Sequence, residues 1–390
     1  MVFPLLPSFL LTILHGSQLY LGLIEGAAES LASCLKLASG SISDSGRGRK
    51  PYIVVGYTIA ALCRPMTALL GSPWQLLVIR LSDRAGKGIR AAPRDAMIVD
   101  STEPSSRGRA FGFQRSMDHL GAAVGPMLAT SFLLFFPGEL RILFALTLIP
   151  GLMVVALIIV GLRETRTASD EVSSDIAFTR RDLSAIAILQ RLFPLSALRD
   201  RSFRMYLLAV LVFTLSNATD AFLLVRAEEW GIPLAWIPLL WCVFHLFKSY
   251  LSIPCGRAID RFGAKRLLLA GWLVYSLAYL GFAMATQIWQ GLLVVALYAV
   301  FYGLAEPAER AMVATLCPPQ QRGAAFGWFN AAIGIGALPA SLGFGWLYQN
   351  LGAEFAFGSG ACLSLVAAIL LVCVTTPQAA PLASASKAIP

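Results

Sequence analysis

Apolar positions along this chain come in long unbroken runs, not in the alternating or one-sided patterns of elements that face water. Stretches 142–162, 267–285 and 356–376 run about 20 residues with almost no charge, which at ~1.5 Å per residue crosses a hydrocarbon core of about 30 Å. Strands of a membrane barrel would alternate over segments of about ten residues, and these runs do not alternate. The pattern predicts twelve helices, at 1–14, 17–43, 51–71, 73–97, 108–136 and 140–162, then 203–227, 232–255, 266–285, 288–314, 320–348 and 354–376. At ~21 Å the first is too short to cross unaided, so it is expected to be truncated, with the true start upstream of Met1. The expected fold is therefore all-α and integral to a membrane, with six-helix bundles at 1–162 and 203–376. The polar linker 163–202 joins them. Its portion 175–199 mixes Arg with Ile, Leu and Phe, as an amphipathic helix in the headgroup plane would. The Ala/Ser/Pro-rich tail 377–390 reads as disordered.

Composition agrees with the pattern. Of 390 residues 57% are hydrophobic and 14% charged, and the mean hydropathy is +0.70. A soluble domain carries roughly 25% charged residues. The net charge of +9 invites a nucleic-acid partner, but its distribution argues against one. One set of alternate connections carries 20 of the 31 Lys and Arg, including Arg47, Arg49 and Lys50, eight arginines between Arg163 and Arg204, and Arg257, Arg261, Lys265 and Arg266. The other set carries Arg141. That asymmetry is the positive-inside signature, so the basic loops, the linker and the C-terminus are expected on the cytoplasmic side of an inner membrane. The seven cysteines show no paired spacing and read as buried thiols. Three scattered histidines give no metal site, no cofactor is implied, and no cleaved signal peptide is evident.

The halves repeat. Gly40-Ser-Ile-Ser-Asp44 recurs as Gly256-Arg-Ala-Ile-Asp260 at an offset of 216, and the Pro104–Phe113 stretch recurs as Pro319–Trp328 at an offset of 215. Two six-helix halves in one orientation, related by an axis along the membrane normal, form a parallel-repeat plan. On these residues the chain resembles the major facilitator superfamily of secondary transporters, and in motif its bacterial drug or metabolite:proton antiporters. Gly40-x-x-x-Asp44 with Arg49 and Lys50 resembles the loop signature between helices 2 and 3, with Arg47 where the pattern has Gly. Gly256-x-x-x-Asp260-Arg261-x-Gly263-x-Lys265-Arg266 is closer to it. Arg84-x-x-Lys87-Gly88 looks like the helix-4 signature, and Gly121-x-x-x-Gly125-Pro126 is similar to the helix-5 signature of antiporters. The resemblance implies gating roles for Asp44, Asp260 and their basic neighbours. It also implies close helix contact and a bend at Gly121, Gly125 and Pro126.

Ionisable groups at membrane depth are costly, and they face a cavity or one another. Glu25 and Glu29, four apart, share a face of helix 2, and Arg80, Arg84 and Lys87 form a stripe on helix 4. Helix 5 carries Arg115, Asp118 and His119, helix 7 Asn217 and Asp220, helix 8 His245 and Lys248, and helix 10 Glu306. Glu25, Glu29 or Asp118 is the candidate to take a proton from one side and release it to the other, with His119 as a possible relay. Arg84 and Arg115, which keep their protons, would gate that release or hold an anionic group. Arg84, Asn217, Asp220, His245 and Glu306 are the candidate solute contacts. The leading expectation is a monomeric, proton-coupled exporter of a small organic solute. Import of an anionic metabolite or metal chelate is the alternative. A membrane enzyme or sensor has no nucleophile motif or phosphate loop to support it.

Overall fold

A computed structural model describes residues 3–43, 49–101, 107–162, 198–317 and 322–375. Among these the chain forms twelve helical elements: α1 Phe3–Ile13, α2 Gln18–Ser43, α3 Lys50–Met66, α4 Pro73–Asp100, α5 Arg107–Phe135, α6 Leu140–Gly161, α7 Arg201–Glu229, α8 Ile237–Phe262, α9 Ala264–Met284, α10 Ile288–Leu316, α11 Arg322–Leu351 and α12 Ala353–Val372. Residues 163–197 of the expected linker, the expected tail and Asp44 lie outside the described residues. α7 spans 29 residues and α1 falls among the short apolar helices.

Eight of the twelve are long and apolar enough to cross a bilayer. The other four are α1, α2, α4 and α5, all in the first half. Length excludes α1, whereas α2 and α4 carry the charges described below. α6 shows the opposite composition: between Leu148 and Gly161 no side chain is buried, and Val160 is 82% exposed. Such an apolar, unpacked face suits lipid, where helices satisfy their own backbone groups. Turns between neighbours are as short as one residue. Gly263 (φ +87°) alone separates α8 from α9, and Gly352 (φ +89°) separates α11 from α12, in a backbone region that other residues rarely adopt.

The repeat is visible contact by contact. Lys50 Nζ donates to the Ile159 carbonyl at 2.8 Å, and Lys265 Nζ donates to the Val374 carbonyl at 2.6 Å, both residues of the second pair lying 215 positions on. A Cβ on Gly56 would meet Arg90, and one on Gly271 would meet Ala305, at the same offset. Gly88 abuts Leu35 as Gly303 abuts Leu251. The halves meet where α2 packs along α11 and α5 along α8, pairs that the repeat exchanges. Two six-helix bundles in parallel repeat account for all of these contacts.

Small residues set the α2–α11 distance. A Cβ on Gly22 would lie 2.1 Å from the Ser341 carbonyl oxygen, and one on Gly345 would lie 2.5 Å from that of Gln18. Ser30 Oγ donates to the Gly334 carbonyl at 2.6 Å. Overpacking of this kind costs about 1–3 kcal/mol. Gly22→Val is therefore expected to lower the thermal midpoint of the purified protein, and an unchanged melting curve would show that these helices readily move apart. The close contact expected at Gly121 is not found among the described residues: a Cβ there would meet nothing within 4 Å. Tight approach occurs at glycines of other helices, Gly22 on α2 and Gly291 on α10 among them. Pro126 does sit inside α5 and is buried.

Candidate functional site

Helical spacing puts Glu25 and Glu29 on one face of α2 and Arg80 and Arg84 on the facing side of α4, each pair one turn apart. Arg80 donates from Nε to Glu25 Oε1 at 2.7 Å and from Nη2 to Oε2 at 2.8 Å, a bidentate pair. Its Nη1 reaches Asp83 at 3.4 Å, and Arg64 on α3 approaches Asp83 from the other side at 3.2 Å. The Arg80 and Glu25 side chains are 9% and 4% exposed, so the α2–α4 pair is buried, and Asp83 extends the web to the more exposed Arg64 of α3.

One turn further along α4 the bonding loosens. Arg84 stands 3.8 Å from Glu25 and 3.9 Å from Glu29, beyond hydrogen-bond length to either. Its Nε is buried with no hydrogen-bond partner among the described residues. Glu29 also has Lys36 at 3.9 Å and is 40% exposed. Glu25, Glu29 and Arg84 line a cavity of about 350 Å³ between the halves. Its opposite wall comes from α7, whose helix breaks between Ser216 and Ala221, so that Asn217, Ala218, Thr219 and Asp220 present irregular backbone to the cavity. Non-helical backbone at membrane depth is tolerated where it lines such a space.

Asp220 accepts hydrogen bonds from Tyr298 at 2.8 Å and from Tyr302 at 3.1 Å to Oδ1 and 3.0 Å to Oδ2. Lys248 lies over the Tyr302 ring, 3.7 Å from its centre, and pairs with Glu306 at 3.3 Å, which Arg310 approaches at 3.7 Å. Behind them Phe213, Trp272, Tyr275 and Tyr279 stack into a buried aromatic core, and Tyr275 donates to the Ser216 carbonyl at the α7 break.

The structure thus gathers Glu25, Glu29, Arg84, Asn217 and Asp220 around one cavity, and its lining does not include Asp118, His245 or Glu306. Asp118 is 49% exposed, with Arg94 at 3.9 Å. His245 packs against Trp241 and Phe244. Arg115 and His119 fall on α5 with side chains outside the described set, as does the side chain of Asp260 at the end of α8. Arg49 precedes α3, Arg261 lies over the Phe262 ring, and Lys265 and Arg266 open α9, where Lys265 holds the end of α12. Sequence reasoning missed the α7 break and the Tyr298–Tyr302 pair; Glu309, which the sequence places on helix 10 with Glu306, lines the cavity as well. The polar run Ser216-Asn-Ala-Thr-Asp220 inside an apolar helix was a signal for the first.

The sequence model of the Major Facilitator Superfamily matches residues 1–242 and 205–389. An uncharacterised MFS-type transporter of Methanocaldococcus jannaschii is 28% identical over 382 residues, which covers 95% of this chain and 90% of the relative. The multidrug resistance protein MdtH of Photorhabdus laumondii is 26% identical over 357 residues, covering 90% and 82%. The crystal structure of an aspartate-to-alanine mutant of the nucleoside transporter NupG shares the fold with a TM-score of 0.78 at 13% identity, covering 95% of this chain and 94% of that one. Two parallel six-helix halves around a shared cavity, with a family match across nearly the whole chain, make this a transporter and not an enzyme: the chain belongs to the Major Facilitator Superfamily.

Proposed function

We propose that this transporter exports a small organic solute across the cytoplasmic membrane in exchange for protons, by alternating access of the two halves. The observation that carries this reading is Arg84, shared at 3.8 and 3.9 Å between Glu25 and Glu29 inside the cavity. Glu29 is the accessible member of that trio. A proton arriving on Glu29 removes the charge that holds one side of Arg84, and its departure restores it. The strength of the α2–α4 attachment is thereby coupled to protonation. Asp44 and Asp260, on the basic loops, are assigned to the gates that open and close the cytoplasmic face. The likeness to MdtH, named for multidrug resistance, supports export.

Proteoliposomes with a pH-sensitive dye inside test the reading against a compound panel. For compounds that the wild type moves, Glu29→Gln is expected to cut solute-driven proton flux by more than about tenfold while solute counterflow persists. Unchanged proton flux in both Glu29→Gln and Glu25→Gln would sink the antiport mechanism.

A further inference from the structure

We infer that the solute is a cationic organic amine and that Asp220 is the carboxylate that receives its charge. This rests on the reading of the cavity as the solute's path, and it separates the solute's anchor from the proton's. The lining holds four acids, Glu25, Glu29, Asp220 and Glu309, against one cation, Arg84. Glu25 and Glu29 face cations on their own half, so the lining acids left without a cation from α4 or α2 are Asp220 and Glu309.

The acids differ in what already neutralises them. Glu25 has both oxygens taken by Arg80, and Glu29 stands between Arg84 and Lys36. Asp220 is held by the neutral hydroxyls of Tyr298 and Tyr302. Lys248 lies across the Tyr302 ring and pairs with Glu306, which Arg310 also approaches. Two phenols fix the orientation of the Asp220 carboxylate without cancelling its charge, and each oxygen keeps lone-pair capacity for a further donor. Phe213 and Tyr302 line the same cavity, and Ile333 and Ala337 add apolar surface for the body of an organic solute. A carboxylate fixed by neutral donors at a break in α7, beside aromatic and apolar side chains, is a receptor for a positive charge.

Calorimetric titration of the purified full chain in detergent tests this without any gradient. The probes are benzyltrimethylammonium and naphthylmethyltrimethylammonium, each against the sulfonate on the same ring system. Both ammonium ions are expected to bind the wild type at least about tenfold tighter than their sulfonates, the worth of one charge-assisted contact. Asp220→Asn, nearly isosteric and able to keep both tyrosine bonds, should erase that preference. Asp220→Glu should retain part of it, and Glu354→Gln, an acid in the first turn of α12, should leave it unchanged. Sulfonate preference, no ammonium binding, or an intact preference in a folded Asp220→Asn protein would each overturn the assignment. These outcomes are distinct from failure of the antiport reading, in which ammonium ions would bind through Asp220 but drive no proton flux.

Discussion

Arg80→Met is expected to leave little folded protein. The substitution keeps the length and apolar stem of the side chain but removes both bonds to Glu25 and the contact with Asp83. Glu25, 4% exposed, would be left with Arg84 at 3.8 Å as its remaining cation. Breaking a buried pair from one side costs about 3–5 kcal/mol, a large share of a typical stability of about 5–15 kcal/mol. Within a membrane protein no surrounding water relieves the loss. Fluorescence-detected gel filtration should show a collapse in monodisperse yield, and what survives should melt early. The double variant Glu25→Gln/Arg80→Met should recover part of the yield, because the acid that lost its partner is then neutral. A single variant with wild-type yield and melting would show that the pair does not hold α2 to α4.

Much of the architecture was legible because the bilayer imposes it. Eight of the helices followed from apolar runs long enough to cross a bilayer, and the repeat from motifs spaced 215 or 216 apart, since both are local or periodic properties of the chain. The pairing of Glu25 and Glu29 with Arg84 was half legible: helical spacing gave the shared faces, but not that α2 and α4 turn those faces to each other. Asp118 looked equivalent to Glu25 by depth, yet depth says nothing of azimuth, and α5 carries it to Arg94 instead of the cavity. Gly121 was read through a motif, and a Cβ there meets nothing within 4 Å among the described residues. The close contacts fell at Gly22, Gly334 and Gly345, whose partners lie more than 300 residues away in sequence. Contacts of that range leave no trace in any local pattern.

The repeat also explains why the two halves of the cavity differ in chemistry. Helix contacts and the Lys50/Lys265 bonds recur at the offset, but the side chains that face the cavity do not. Glu25 and Glu29 correspond to Trp241 and His245, and Arg80, Asp83 and Lys87 to Val295, Tyr298 and Tyr302. One half keeps its helices in register with ion pairs, and the other does so with stacked rings. Each half places two acids on the cavity, but those of α2 face arginines of α4, whereas Asp220 of the second half is held by tyrosines of α10.

Arg84→Gln should give the reverse phenotype of Arg80→Met, although the two arginines lie one turn apart on the same helix. Removing Arg84 leaves no acid without a cation: Glu25 retains its bidentate bond to Arg80, and Glu29 retains Lys36 at 3.9 Å. The pairs lost are long, and one of them involves a carboxylate that is 40% exposed, so the stability change should stay within about 1 kcal/mol. Transport should suffer far more. Without a cation between the two acids, protonation of Glu29 no longer alters what holds α4, and solute-driven proton flux should fall by at least about tenfold. Arg84→Lys should recover only part of it, because a point charge cannot span two carboxylates as a planar guanidinium does. Melting curves and proton flux measured on the same preparations decide the matter. If Arg84→Gln fails to fold as Arg80→Met is expected to, Arg84 is a further strut of the α2–α4 web, and the coupling acid must be sought elsewhere in the cavity.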